Sequence, residues 1–198
     1  MNTPQLSKQI PTPELAREYA LKQFSEYGKK QIEEKGRKVG RLQKELKILH
    51  SRCVFMAVRD IIKLKGLEGQ VDTEELEIAA WLHDTGYVLQ KEDHAKYSLE
   101  MCERDFILDD NLRDCILNHG RKYKPRTREG KIIQLADKLS FFYPEFRKKF
   151  IEAGIAKGFD PKQAEERYNQ KRDDFATSFP EDEVYNNLVS ELIKKCEK

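Results

Sequence analysis

The sequence has no long apolar run, few cysteines and no marked excess of charge of either sign. No stretch approaches the roughly 18 apolar residues that a membrane helix needs, and the N-terminal residues lack the hydrophobic region of a secretory signal. The cysteines, at positions 53, 102, 115 and 196, are widely spaced and form no CxxC pair, which excludes a zinc ribbon and a thioredoxin-type motif. We therefore expect a cytoplasmic protein with buried thiols.

Charged residues are abundant, but the two signs balance. Lys and Arg number 37 and Asp and Glu number 35 among 198 residues, which leaves a formal net charge of +2. This balance argues against general nucleic-acid binding and against attachment to an anionic membrane. Any anion-binding function must therefore be local.

Apolar residues recur with helical spacing along the whole chain, and no alternating strand bounded by turn residues is found. The sequence therefore predicts an all-α fold. A first helix is expected to begin at Thr12–Pro13 and to end before Gly36, and a second to run from about Val39 to Lys65 and stop at Gly66. Further helices are expected to begin at or near Asp72, Asp93, Asp109 or Asp110, Lys131, Asp160–Pro161 and Pro180–Glu181, the one at Asp72 ending at Gly86.

Three histidines and one aspartate share the apolar face of their predicted helices. His50, His83, His119 and Asp137 each follow an apolar residue or a cysteine by four positions, which places the two within about 40° of one another on a helix. For any one of them, a buried side chain satisfied by a backbone carbonyl remains the alternative. With Asp84, however, three imidazoles and two carboxylates would each need a separate partner. A shared divalent metal ion meets that need, and this donor set suits a transition metal.

The order of these residues resembles the HD superfamily of metal-dependent phosphohydrolases. His50 is followed by adjacent His83–Asp84 in the string AAWLHDTGY and by Asp137 in IIQLADKLS, and the resemblance covers roughly residues 45–142. It implies an all-α HD-domain helical bundle. We expect a metal-binding catalytic core at residues 39–145, preceded by an N-terminal helical segment at 1–38 and followed by a C-terminal helical extension at 146–198 that packs on the core.

The resemblance also implies a ligand set. Members that hold two metals carry further histidines between the HD pair and the final Asp, where this chain has His94 and His119. The first metal would be held by His50, His83, Asp84 and Asp137, and the second by His94 and His119, with Asp84 bridging the two and essential for catalysis. The alternatives are a surface position for His94 at the start of a helix and a helix-end cation for His119.

The implied activity is hydrolysis of a phosphoester or phosphoanhydride bond of a nucleotide-like substrate by a metal-activated hydroxide. One or two divalent ions would serve as cofactor, chosen from Mn, Fe, Co, Ni, Mg and Zn. Tyr87 stands where HDxGK members have Lys, which leaves the substrate class open. Two other functions share the pattern: a di-iron oxygenase of the superfamily, similar to inositol oxygenase, and a non-catalytic nucleotide-binding HD module.

Basic residues near the predicted ligands are candidate substrate contacts. The expected partner is a small phosphorylated molecule, and its phosphates would be bound by Arg121, Lys122, Lys124, Arg126 and Lys138. A solvated connecting loop is the alternative for the residues that follow His119. The aromatic residues Phe141, Phe142, Tyr143 and Phe146 either line a base-binding pocket or pack the C-terminal helices.

Overall fold

The computed structural model describes residues 8–120 and 123–196, and these residues form helices joined by turns. They contain no strand, only an isolated bridge between Gln9 and Phe106, which confirms the all-α prediction. Two 3₁₀ turns lie at Thr85–Val88 and Ser140–Phe142. In chain order the helices are α1 (Pro13–Lys35), α2 (Arg37–Lys65), α3 (Thr73–Leu82), α4 (His94–Asp105), α5 (Asp110–Leu117), α6 (Arg128–Leu139), α7 (Pro144–Ala156), α8 (Pro161–Ala176) and α9 (Glu183–Cys196).

Most helix ends lie where local sequence signals place them. The Thr12 hydroxyl caps α1 by accepting a hydrogen bond from the Leu15 N–H at 3.3 Å. Gly66 ends α2 in the left-handed conformation, with φ of 62°, which glycine adopts without the steric cost of a Cβ. The carboxylates of Asp72, Asp109 and Asp160 cap α3, α5 and α8 by accepting backbone N–H groups.

Three helix bounds differ from the prediction. α6 begins at Arg128 instead of Lys131, because the Thr127 side chain caps it by accepting the Gly130 N–H at 2.9 Å. α3 ends at Leu82 instead of Gly86, because the chain tightens into a 3₁₀ turn before the glycine. α9 begins at Glu183 instead of Pro180–Glu181, because Asp182 provides the cap: its carboxylate accepts the Tyr185 N–H at 3.0 Å. A side chain that satisfies a free N–H thus decides the helix start more strongly than a nearby proline does.

The long helix α2 lies at the centre of the bundle. Helices α1, α3, α6 and α7 all pack against it, and its side chains Val54, Val58 and Ile61 are fully buried. Burying one such side chain contributes about 1.5–3 kcal/mol. Because α2 contacts most of the other helices, a side chain on its buried face can meet groups from several of them.

The C-terminal helices share this hydrophobic core. Tyr168 of α8 and Tyr185 of α9 are fully buried in the same cluster as the α2 side chains, and the Tyr168 hydroxyl donates to the Phe141 carbonyl at 3.0 Å. The sequence analysis does not predict α7, although Pro144 occupies its first position as Pro13 does in α1. The division at residues 1–38, 39–145 and 146–198 stays a prediction.

Cys53, Cys102 and Cys115 are buried and form no disulfide, which confirms the buried-thiol prediction for these three. The side chain of Cys196 lies outside the described part of the chain. Among the helices that the structure describes, none combines the length and the apolar character that crossing a bilayer requires.

Gly86 allows the turn after α3 to pack directly on α4. A Cβ at this position would lie 2.2 Å from the His94 carbonyl oxygen and 2.4 Å from the Ser98 nitrogen, so the backbone of α4 would have to move. The Gly86 N–H also donates to Ser98 Oγ at 2.8 Å. The glycine therefore holds the first turn of α4 against the segment that follows α3.

We predict that Gly86→Ala lowers the free energy of unfolding by about 1–3 kcal/mol, because overpacking displaces helix backbone. The matched control is Gly120→Ala, since a Cβ at Gly120 meets no atom of the described residues within 4 Å; this change should stay within about 0.5 kcal/mol. Urea unfolding followed by circular dichroism measures both. Equal stability of the two variants would show that the close contact at Gly86 is not limiting.

Candidate metal centre

Six polar side chains from five parts of the chain meet between the helices. α2 and α6 each supply one of these side chains, and the end of α3 supplies two. The remaining two come from the first residue of α4 and from the turn after α5. The six side chains are His50, His83, Asp84, His94, His119 and Asp137. The structure thus brings together all six residues predicted as metal ligands.

His50, His83 and Asp137 form one group. His50 Nε2 lies 3.2 Å from His83 Nε2 and 3.1 Å from Asp137 Oδ1, and His83 Nε2 lies 4.0 Å from that same oxygen. Two ligand atoms that are each about 2.1 Å from one ion are at most about 4.2 Å apart. The three atoms are therefore close enough to share one metal ion.

His94, His119 and Asp84 form a second group. His94 Nε2 lies 3.1 Å from His119 Nε2 and 3.2 Å from Asp84 Oδ1, and the distance from His119 Nε2 to Asp84 Oδ1 is 3.7 Å. The other carboxylate oxygen, Asp84 Oδ2, lies 3.3 Å from His50 Nε2 in the first group. Asp84 therefore lies between the two groups: Oδ2 is close to His50, whereas Oδ1 is close to His94 and His119 and also lies 3.6 Å from His83 Nε2 of the first group.

Backbone carbonyls fix the tautomers of three histidines. The Nδ1 atoms of His83, His94 and His119 lie 3.0, 2.8 and 2.7 Å from the carbonyl oxygens of Ala80, Lys91 and Ile116. A carbonyl oxygen only accepts, so each Nδ1 carries the hydrogen, and in a neutral ring Nε2 then presents a lone pair. Ala80 and Ile116 belong to the last turns of α3 and α5, where carbonyls lack a helical partner.

Ser140 gives His50 the same tautomer. The Ser140 hydroxyl donates its hydrogen to the Asp137 carbonyl at 2.6 Å, so it accepts from His50 Nδ1, which is 3.0 Å away. His50 Nε2 is therefore also unprotonated in the neutral ring. All four imidazoles direct Nε2 lone pairs toward the two carboxylates.

Burial keeps the inner imidazoles neutral. It lowers the pKa of His83 to about 4 and that of His119 to about 3, although Asp84 and Asp137 oppose the shift. In neutral rings that carry their hydrogen on Nδ1, the facing Nε2 atoms of His94 and His119 have no hydrogen to share at 3.1 Å. Lone pairs and carboxylates that converge in this way repel one another unless a cation lies between them. The residues therefore fit a divalent transition-metal centre.

Two lysines balance the charge of the carboxylates. Lys47 Nζ donates to Asp84 Oδ2 at 2.8 Å, and Lys138 forms an ion pair with Asp137. Burial raises the pKa of both aspartates, but Lys47 beside Asp84 and Lys138 beside Asp137 hold each pKa well below its usual value. The sequence analysis missed Lys47. Lys47 precedes His50 by three residues and so lies on the same face of α2. This spacing is the sequence signal for its position beside His50.

Five of the six metal-centre residues, all except the fully buried His83, line a cavity of about 630 Å³. Phe141 and Phe146 from the predicted aromatic group line it as well, whereas the structure places Phe142 and Tyr143 in the core. Phe150 of α7 and Phe175 of α8 complete an apolar wall. The cavity therefore combines the polar group with an aromatic surface large enough for an organic ligand.

The basic loop after His119 lies outside this cavity where the structure describes it. Lys124 and Arg126 are exposed and do not line it. The loop is held by buried Asp114, whose carboxylate accepts the backbone N–H groups of Arg126 and Thr127 at 2.9 Å each. Arg121 and Lys122 lie outside the described residues, and a substrate role for the loop stays a prediction.

Comparison with known families identifies one match. The model for the HD domain matches residues 40–141, just over half of the chain, and this range contains all six candidate ligands. No curated protein and no solved structure matches the chain significantly.

We predict that the metal-stripped protein, once reloaded, binds up to two divalent ions per chain. His94→Ala should remove one ion and leave the other, because the group of His50, His83 and Asp137 stays intact. Elemental analysis after gel filtration measures the stoichiometry, and Asp110→Ala, an exposed carboxylate on α5, is the control. A wild-type stoichiometry that never exceeds one, unchanged in His94→Ala, contradicts the two-ion arrangement.

Proposed function

Because the chain belongs to the HD domain family, we propose that it is a metal-dependent phosphohydrolase that cleaves a phosphoester or phosphoanhydride bond of a nucleotide-like substrate. The family is generally one of metal-dependent phosphohydrolases. The observation that supports the proposal most is the convergence of four Nε2 lone pairs and two ionised carboxylates at the inner end of a cavity.

The six side chains would hold the ions through the atoms that face each other. Bound divalent ions would activate water for attack and neutralise charge on the phosphoryl oxygens. Asp84 contributes one oxygen to each group of ligands, so it fixes the two groups relative to each other. The backbone carbonyls that accept from the Nδ1 hydrogens keep the imidazoles oriented and increase their basicity.

Lys47 and Lys138 are suited to bind the phosphoryl group. Their ammonium groups already lie beside Asp84 and Asp137, so a phosphoryl oxygen at the centre comes within reach of both, and such charge-assisted hydrogen bonds are strong. Tyr87 contacts Lys47, whose Nζ lies 3.0 Å from the centroid of the Tyr87 ring. The same ring stacks on the His94 ring, with 4.2 Å between the two centroids. Tyr87 stands at the position where HDxGK members have Lys. In this chain, Lys47 of α2 places a lysine at the site instead.

The aromatic wall is suited to an organic moiety of the substrate. Phe146 lies 5.8 Å from His50 between ring centroids, and Phe141 lies 5.0 Å from Phe146. A base or another flat apolar group that stacks here would be adjacent to the metal centre. The proposed phosphoester bond would then lie between this wall and the ligand groups.

We predict that Asp84→Ala abolishes phosphate release from nucleotide substrates while the helical content stays near that of the wild type. The carboxylate holds both ligand groups, whereas most buried apolar contacts of the bundle are elsewhere. Phosphate release from a set of nucleotides with several divalent ions measures the activity, and far-ultraviolet circular dichroism measures the helical content. Asp110→Ala is the control for both.

The same assay separates the proposal from its rivals. Wild-type turnover retained by Asp84→Ala would refute the site. Substrate-dependent oxygen consumption that requires iron would indicate the oxygenase, and tight nucleotide binding without phosphate release under any metal would indicate the binding module.

A further inference from the structure

The outer part of the cavity is built mainly by helices that the family match does not cover. The HD domain match spans residues 40–141, but basic residues at the cavity come from α1, from the end of α7 and from α8. These residues are Lys30, Lys35, Lys157, Arg167 and Lys171, and Lys91, inside the match, lies with them in the loop before α4. Most of this basic surface therefore lies outside the residues that match the family.

Few acidic groups oppose this basic surface. Besides Asp84 and Asp137, Glu34 lines the cavity, and it accepts a hydrogen bond from Gln31 Nε2 at 2.9 Å. In the part of the chain that the structure describes, no carboxylate lies within ion-pair distance of Lys91 or Lys157. A chain with nearly equal numbers of acids and bases thus concentrates cations at one cavity, and among them Lys91 and Lys157 have no carboxylate partner in the described residues.

Lys35, Lys91, Lys157 and Arg167 line the same cavity, so their positive charges repel one another. Burial, together with the positive charges of Lys35, Lys91 and Arg167, lowers the pKa of Lys157 to about 8. Lys47 acts on Lys157 in the same direction, and Lys47 itself contacts Asp84. The basic residues line the same cavity as Lys47 and the metal-centre residues, and a bound anion would relieve the repulsion among the cations.

We propose that Lys91, Lys157 and Arg167 form a second anion subsite, which binds a phosphoryl group of the substrate other than the one at the metal centre. The inference rests on the proposed phosphohydrolase function and narrows it. The substrate carries at least two phosphoryl groups, and its apolar part faces the wall of Phe141, Phe146, Phe150 and Phe175. The helices that flank the HD domain then select the substrate, while the domain supplies the ligands.

Kinetics on matched substrates tests the subsite. The double variant Lys157→Gln/Arg167→Gln should raise KM for adenosine di- and triphosphate about tenfold or more, with KM for the monophosphate and kcat within about twofold. Lys162→Gln is the control, because Lys162 is a highly exposed lysine of α8 paired with Glu166. The single variant Lys157→Arg, in which Arg167 is unchanged, keeps the positive charge and should have the wild-type KM for the di- and triphosphate. An equal rise in KM for all three nucleotides, or no rise, overturns the subsite.

A binding measurement keeps the test independent of turnover. Calorimetry at low salt should show that metal-free wild-type protein binds inorganic tripolyphosphate, and that the double variant binds it about tenfold or more weakly. Added salt should weaken wild-type binding, because the contacts are between charges. Equal binding by the double variant and Lys162→Gln overturns the subsite.

The two measurements distinguish failure of the subsite from failure of the proposed function. If tripolyphosphate binding depends on Lys157 and Arg167 but no nucleotide releases phosphate, the subsite stands as an anion site and the phosphohydrolase function fails. If nucleotides are hydrolysed and the double variant matches wild type in KM and binding, the function stands and the subsite fails. The alternative occupant of the site is free phosphate rather than the second phosphoryl group of the substrate. In that case, added phosphate should inhibit monophosphate hydrolysis only in protein that retains both Lys157 and Arg167. This result would contradict a substrate subsite.

Discussion

The hydrogen bonds from the imidazole Nδ1 atoms to oxygen acceptors are the constraint on which the site depends. Because backbone carbonyls and Ser140 take the Nδ1 hydrogens, four Nε2 lone pairs point inward at two ionised carboxylates. Such an arrangement is unfavourable without a positive partner and favourable around one. The turns at the ends of α3 and α5, which leave carbonyls free, are thus as necessary to the centre as the ligands themselves.

The packing of the bundle serves this constraint. α2 carries both His50 and Lys47 on the face that meets the other helices, and Gly86 lets the first turn of α4 approach closely enough for His94 to join the group. The flanking helices α1, α7 and α8 then close the cavity around the centre and line it with basic groups. In the proposed function, the core holds the metal ligands and the surrounding helices select the charge of the substrate.

Much of this could be predicted from the sequence. Helical periodicity and capping residues predict the fold, and the spacing of His50, His83 and Asp137 on apolar faces predicts their convergence. Lys47 could not be assigned, because a lysine on a helix is ordinarily solvated and only the tertiary structure shows its contact with Asp84. The sequence predicts anion contacts in the loop after His119, and that role stays a prediction. The cavity also brings together cations that are distant in sequence, such as Lys35 and Lys157, which no local pattern reveals.

The account is tested most directly by nitrogen-15 NMR of the histidine side chains in the 198-residue chain, before and after addition of Zn²⁺. The chain has four histidines, so each ring can be assigned by substitution. We predict that in metal-free protein at neutral pH His83 and His119 carry their hydrogen on Nδ1, and that Zn²⁺ shifts the Nε2 signals of all four rings while Nδ1 stays protonated. Hydrogens on Nε2 before metal addition, or Nε2 signals that do not respond to Zn²⁺, would contradict the metal centre.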